Sequence, residues 1–265
     1  MCIAVFMWQA HPKYPFLLLH NRDEFHSRPT EPLAWWEDGT ILGGKDMVGG
    51  GTWLGSTRDG RIAFLTNFRE LDSLPHPKTR GDLTLRFLQS NKSPQEFAEE
   101  VLKEAHLYNG FNLILADICN STMIYVFNRP TCDQVSLTRV TPGIHVLTNG
   151  TLDAPWPKAE RLRHNFEELI DQHSENEFPI KEMVEKLMTD TTKDEESMLP
   201  GIHPPARELP LTSIFVEANF PMGHYGTRSS SAVFVKSNKE VSFYEKYLDQ
   251  EKWKDRMVTY HINDK

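Results

Sequence analysis

Seven apolar residues in succession, Cys2-Ile3-Ala4-Val5-Phe6-Met7-Trp8, open the chain and give way to His11-Pro12. A run this short, with no polar alternation, reads as a β-strand buried on both faces. Phe16–His20 reads as its partner, with Pro12 to Pro15 as the turn between them. Thr52–Thr57 and Arg61–Asn67 flank Arg58-Asp59-Gly60, which is a hairpin signal. The first 70 or so residues are therefore strand-rich.

The period then changes. Ser93-Pro94-Gln95-Glu96 spells a capping box with proline at the first helical position. Phe97, Val101, Leu102 and Ala105 continue on one helical face, and Leu83, Phe87 and Leu88 predict a helix just before it. Strands return at Phe111–Ile118, Thr122–Phe127 and Ile144–Thr148. Leu162, Phe166, Leu169 and Ile170 form one helical stripe; Ile180, Met183, Val184, Leu187 and Met188 form another. Thr189–Glu208 is polar and proline-bearing and reads as a surface loop. Strands resume at Ser213–Ala218, Ser229–Lys236 and Val241–Tyr247. Strands, two helices, strands, two helices, strands: this order argues for antiparallel sheets with helices outside rather than βαβ units. The expected class is α+β, a four-layer αββα sandwich in which two antiparallel sheets pack face to face. No Gly/Ser-rich linker interrupts residues 1–265, so a single domain is expected.

Composition excludes several functions. The chain has 265 residues, 39% hydrophobic and 25% charged, enough to bury a core without disulfide or metal staples. Three cysteines, Cys2, Cys119 and Cys132, form no C-x-x-C pair, and a reducing compartment is expected. A net charge of -8 with no Lys/Arg run argues against nucleic acid. The opening apolar run is far below the roughly 18–20 residues of a membrane helix. No basic residue precedes it, so it is a poor signal peptide. The eleven histidines are dispersed, with no metal-ligand spacing, and no metal is expected. Gly39-Thr40-Ile41-Leu42-Gly43-Gly44-Lys45 nearly spells a phosphate loop. Asp46 replaces its Ser/Thr, and no helix pattern follows.

The informative residue is Cys2. Methionine before a small residue is normally trimmed, so the mature chain is expected to begin at Cys2. That joins a thiol to a free α-amine of pKa about 7.7–8.0, which can serve as general base for its own side chain. The plain alternative is a small apolar residue starting a strand. Other polar groups sit at strand ends that can converge on Cys2. Asn21-Arg22-Asp23-Glu24 terminates the second strand, Asn67 closes the hairpin, Asn149 ends Ile144–Thr148, and Arg228 opens Ser229–Lys236. Each is also an ordinary turn former or surface charge. Together they offer amide donors for an oxyanion, a carboxylate to orient an amine and arginines to lower a thiol pKa. Trp35, Trp36 and Trp53, near a glycine loop, are candidates for an apolar pocket wall, with ordinary core packing as the alternative. Arg22, Arg28 and Arg228 suit carboxylates or phosphates.

These residues carry a resemblance. Met1-Cys2-Ile3, Asn21-Arg22-Asp23-Glu24-Phe25 with Arg28-Pro29, Gly50-Gly51-Thr52-Trp53-Leu54-Gly55, Leu65-Thr66-Asn67, Leu107-Tyr108-Asn109-Gly110-Phe111-Asn112-Leu113, Leu147-Thr148-Asn149 and Tyr225-Gly226-Thr227-Arg228 closely resemble the NRDE family, the transport and Golgi organisation proteins. The resemblance spans essentially the whole chain. It implies links to Golgi organisation, secretion, lipid and acyl-CoA homeostasis and haem trafficking. It also implies a cytoplasmic protein associated with mitochondria or Golgi. A more distant resemblance is to N-terminal-nucleophile hydrolases of the choloylglycine hydrolase type. It implies Cys2 as nucleophile, Asp23 beside the terminal amine, Asn149 and Asn67 as oxyanion donors and Arg228 in the active site. Gly49–Gly55 and Trp35-Trp36 have no counterpart there.

Two functions stay open. One is an amidase or thioesterase acting through Cys2. The other is a non-catalytic carrier of a small amphipathic ligand, haem or acyl-CoA, that uses the tryptophans and arginines; no cofactor is required in either. A trafficking scaffold has no support from a coiled coil, lipid anchor or charged tail.

Overall fold

The computed structural model describes residues 2–129, 132, 134–173 and 177–263. Met1, on which the expected trimming falls, lies outside them. The first half of the chain runs through strands β1 (Cys2–Trp8), β2 (Phe16–Phe25), β3 (Thr30–Trp35), β4 (Ile41–Asp46), β5 (Leu54–Thr57) and β6 (Arg61–Asn67). Helices α1 (Gly81–Gln89) and α2 (Pro94–Glu104) follow, then β7 (Phe111–Asp117), β8 (Thr122–Arg129), β9 (Gln134–Arg139) and β10 (Gly143–Leu147). Helices α3 (Pro157–Gln172) and α4 (Ile180–Leu187) precede β11 (Glu217–Phe220), β12 (Gly223–Val235), β13 (Glu240–Asp249) and β14 (Lys252–His261).

The strands form two antiparallel sheets. One runs β10-β1-β2-β12-β13-β14 with β11 on β12; the other runs β3 to β9 in chain order. Alternation along β1 shows how they stack. Ala4, Phe6 and Trp8 join Leu42, Ile62, Phe64 and Ile114 of the other sheet in one buried cluster. Ile3, Val5 and Met7 join Leu162, Phe166, Met183 and Val184 of α3 and α4 in another. Leu83 and Phe87 of α1 and Phe97 and Val101 of α2 cover the outer face of the second sheet. The layers are therefore α–β–β–α, as the element order predicts. Phe6 meets Phe64 edge-on across the sheets at 5.5 Å, a geometry worth about 0.5–1.5 kcal/mol beyond burial. At α2 the capping box is in place: Ser93 Oγ accepts the Glu96 N–H, and the Glu96 carboxylate accepts the Ser93 N–H at 2.9 Å.

Several boundaries differ from the sequence reading. β2 does not end before Asn21; it runs to Phe25 because β12 pairs its far edge as β1 pairs the near one. β12 starts at Gly223, so Arg228 lies inside it rather than opening it. Ser213–Ala218 is irregular except for its last two residues, which begin β11. β3, β4, β9 and β14 were not anticipated. β9 and β14 are mostly exposed edge strands, and a largely solvated strand carries little apolar alternation to read. Ile41–Lys45 of the glycine-bearing segment lies in β4 rather than in a phosphate loop, with Gly43 directly opposite Gly55 in the ladder.

Candidate active site at the head of the first strand

Cys2 is the first residue of β1 and is only 5% exposed. Its cross-strand partner is Arg22, so both side chains project from the face that meets the other sheet. On the other side β1 pairs β10 with Ala4 opposite Leu147. Continuing that register brings Cys2 level with Asn149. The Thr148 hydroxyl donates to the Cys2 carbonyl at 3.2 Å and fixes this corner.

Beyond the sulfur lies a cavity of about 470 Å³, lined by Cys2, Arg22, Asp23, Arg28, Trp53 and Asn67 among others. Its lining draws on β1, β2, β4, β6 and the first residue of α1. The turn 47–51 and the segment leading to α1 form its rim, with Gly49 and Gly81 among the lining residues. The turn needs its glycines: Gly50 has φ +74°, and a Cβ on Gly51 would lie 2.3 Å from the carbonyl of Gly81. These residues set how close the rim can come to α1.

Burial governs the electrostatics. It pushes the Cys2 thiol up from its ordinary range and raises the Asp23 carboxyl to about 6. Asp23 Oδ1 accepts a hydrogen bond from the Thr227 hydroxyl at 2.7 Å, and its carbonyl accepts one from the Tyr225 hydroxyl at 3.1 Å. Arg22 is 5% exposed. Its Nη1 donates to Thr30 Oγ1 at 3.2 Å, and its Cζ stands 4.2 Å above the Trp53 ring. Arg28 forms a two-pronged pair with Asp46 at 3.0 and 2.7 Å. Asn149 is buried and donates through Nδ2 to the Asn67 carbonyl at 2.8 Å.

The structure thus brings Cys2, Asp23, Asn67, Arg22, Arg28 and Trp53 to one cavity, with Asn149 bonded to its wall. It does not bring Arg228 there. The register of β12 on β2 shifts between Thr227, opposite Asp23, and Ser229, opposite Arg22. Arg228 is the extra residue of that bulge, and a bulge re-aims its side chain. Arg228 lines two neighbouring cavities, one with His26 and Trp253 and one shared with Arg22, Arg28 and Trp53, and it donates to the Phe25 and Arg28 carbonyls. Trp35 and Trp36 are also elsewhere. Trp35 packs edge-on to Tyr260 at 5.2 Å, and Trp36 lies against the helix-covered face of the other sheet.

Sequence reasoning missed Thr227, Arg80 and Lys158. Lys158 is 1% exposed, and its Nζ donates to the Leu211 carbonyl at 3.0 Å. Burial drives its pKa down to about 8. A signal existed: Lys158 stands four residues before Leu162 and eight before Phe166, on the apolar stripe of α3. Among the described residues, no group of three or more His, Cys, Asp or Glu side chains could hold a metal, and no helix is long and apolar enough to cross a membrane.

A family model described as Transport and Golgi organisation 2 matches residues 1–250. The Transport and Golgi organization 2 homolog of Mus musculus is 32% identical over 271 residues, covering 96% of each chain. The Homo sapiens homolog is 32% identical over 283 residues, covering 99% of each. Among solved structures, the crystal structure of mutant C2A of conjugated bile acid hydrolase from Clostridium perfringens is similar with a TM-score of 0.55. It covers 99% of this chain and 97% of that one at 11% identity, a likeness of fold alone.

Proposed function

The chain belongs to the Transport and Golgi organisation 2 family, and from that premise we propose that it is an N-terminal-nucleophile hydrolase that cleaves an amide or thioester bond with Cys2. The observation that carries the reading is the shared cavity: a buried thiol at the head of β1, with Asp23, Asn67 and Arg22 on the same wall.

The chemistry follows from the environment. Burial keeps the resting thiol protonated, so attack needs a base. The α-amine freed by loss of Met1 is that base. It takes the thiol proton as sulfur attacks the substrate carbonyl. Asp23 holds the resulting ammonium, and Thr227 holds Asp23. Negative charge on the carbonyl oxygen is met by Asn67 and Asn149, the Asn149–Asn67 hydrogen bond keeping the two together. Collapse expels an amine or thiol, which leaves with the ammonium proton, and water releases the acyl group from Cys2. Arg228 serves from outside, by tying the carbonyls of Phe25 and Arg28.

A carrier of haem or acyl-CoA would need an apolar slot. Of the three tryptophans read for one, Trp53 alone lines this cavity, and Arg22 covers its ring. The hydrolase reading is therefore the better supported. Intact mass of the protein from its native host should show a chain starting at Cys2. Turnover of short acyl thioesters and N-acyl amides should vanish in Cys2→Ala. Turnover that survives this substitution, or an acyl adduct trapped on another residue, refutes the assignment.

A further inference from the structure

We infer that the substrate of the Cys2 cavity carries an anionic group, a carboxylate or a phosphate, held by Arg22 and Arg80. The inference rests on the hydrolase reading for its location beside the reacting sulfur, and on charge pairing for its chemistry.

Four cations line the cavity: Arg22, Arg28, Lys78 and Arg80. Two of them are satisfied within the protein. Arg28 is paired with Asp46 at 2.7 Å and lies 3.8 Å from Glu24; Lys78 is paired with Glu104 at 3.2 Å. Among the described residues Arg22 and Arg80 have no carboxylate within 4 Å. Arg22 is buried against a hydroxyl and an aromatic face, with the buried Glu245 carboxylate within electrostatic reach. Arg80 donates to the Gly110 carbonyl at 2.9 Å. The lining carboxylates answer them only from a distance: Glu24 favours the charged form of both and Asp46 that of Arg22, without an ion pair to either. Asp46 is engaged by Arg28, Glu24 accepts the Phe25 N–H at 2.8 Å, and Asp23 accepts from Thr227.

Both arginines are costly where they stand. A buried charge such as Arg22 is normally paired, and the half-buried Arg80 is the N-cap residue of α1, beside the positive end of the helix dipole. Burial lowers the pKa of each, in keeping with that cost. One anion in the cavity relieves both, and Gly81, the first residue of α1, lines the same space. The two guanidinium groups suit the oxygens of a carboxylate or a phosphate equally.

Calorimetric titration of full-length Cys2→Ala protein with inorganic phosphate and with butyrate, at matched ionic strength, tests the subsite apart from the chemistry. Saturable binding of at least one anion is expected, and it identifies which head group the site takes. Arg80→Gln and Arg22→Gln should each weaken it about tenfold, while Arg80→Lys retains most of it. No saturable binding of either anion, or binding that both Gln substitutions leave unchanged, overturns the inference. In the Cys2-containing protein, the ratio of alkylation rates at Cys2 by iodoacetate and iodoacetamide should fall about tenfold with Arg80→Gln; an unchanged ratio overturns it too. Anion binding that persists where Cys2 supports no turnover refutes the hydrolase reading and leaves the subsite standing.

Discussion

Thr227 donates to Asp23 Oδ1 at 2.7 Å across the β2–β12 pair, and Asp23 adjoins Arg22, the residue directly opposite Cys2. Three side chains from two sheet neighbours are thus fixed by ladder register rather than by loops. The same Thr227 hydroxyl accepts the Val216 N–H at 2.9 Å, so it is locked from both sides.

The Asp23 carboxyl is raised to about 6 by burial, and the Thr227 bond opposes that rise. Thr227→Val should push it higher still, moving the acid limb of the pH–rate profile upward, while Thr227→Ser restores it. A profile unmoved by Thr227→Val would remove Asp23 from the proton inventory of the site.

The same shift has a stability consequence. An acid raised above its unfolded value of about 3.9 binds more protons in the folded state between pH 4 and 6. Its contribution is intact below pH 4 and is lost as pH rises through about 6. Asp23→Asn should therefore stabilise the protein at pH 7 by about 1–3 kcal/mol and by little at pH 4. Thermal melts at the two pH values check this, and equal shifts at both would contradict it.

Lys158 works in the opposite sense. Its pKa falls to about 8 in the folded state, below the unfolded value of about 10.4, so stability rises with pH between those values. Below pH 8 the buried charge carries its full penalty. Lys158→Met should raise stability at pH 7 by about 1–3 kcal/mol, with the gain fading toward pH 10. Denaturant titration at both pH values measures it.

Asn149→Ala should lower kcat about 10²–10³-fold if its amide serves the oxyanion. The lost hydrogen bond to the Asn67 carbonyl should cost about 1 kcal/mol of stability. A kcat change no larger than the stability change would leave Asn149 a purely structural residue.

Gly51→Ala places a Cβ 2.3 Å from the Gly81 carbonyl carbon and oxygen, both backbone atoms. The turn must withdraw from α1, loosening the Thr52 N–H bond to the Gly81 carbonyl. A loss of about 2 kcal/mol or more is expected. KM should rise more than kcat falls, since the rim shapes the cavity rather than the nucleophile.

Much of this architecture follows from local pattern. Cys2–Trp8 could only be a strand with both faces covered, and Ile3 and Ala4 do go to opposite cores. The helix pairs announced themselves by period and by the Ser93–Glu96 box. Cys2 and its amide and carboxylate neighbours were legible as a cluster because each lies in a distinctive motif. What the sequence could not determine was which charges meet. Arg28 and Asp46 are 18 residues apart, and only the β3–β4 pairing brings them together and takes Arg28 out of play. Arg228 was grouped with Cys2 as one of several polar strand ends, but as the extra residue of the β12 bulge it lines the neighbouring cavities. Lys158 gained its standing from burial, a property of everything packed around it, and Arg80 from the cavity it lines. Periodicity reports which face of an element is apolar; register, bulges and burial are set by long-range pairing, so the charge balance at Cys2 exists only in the folded chain.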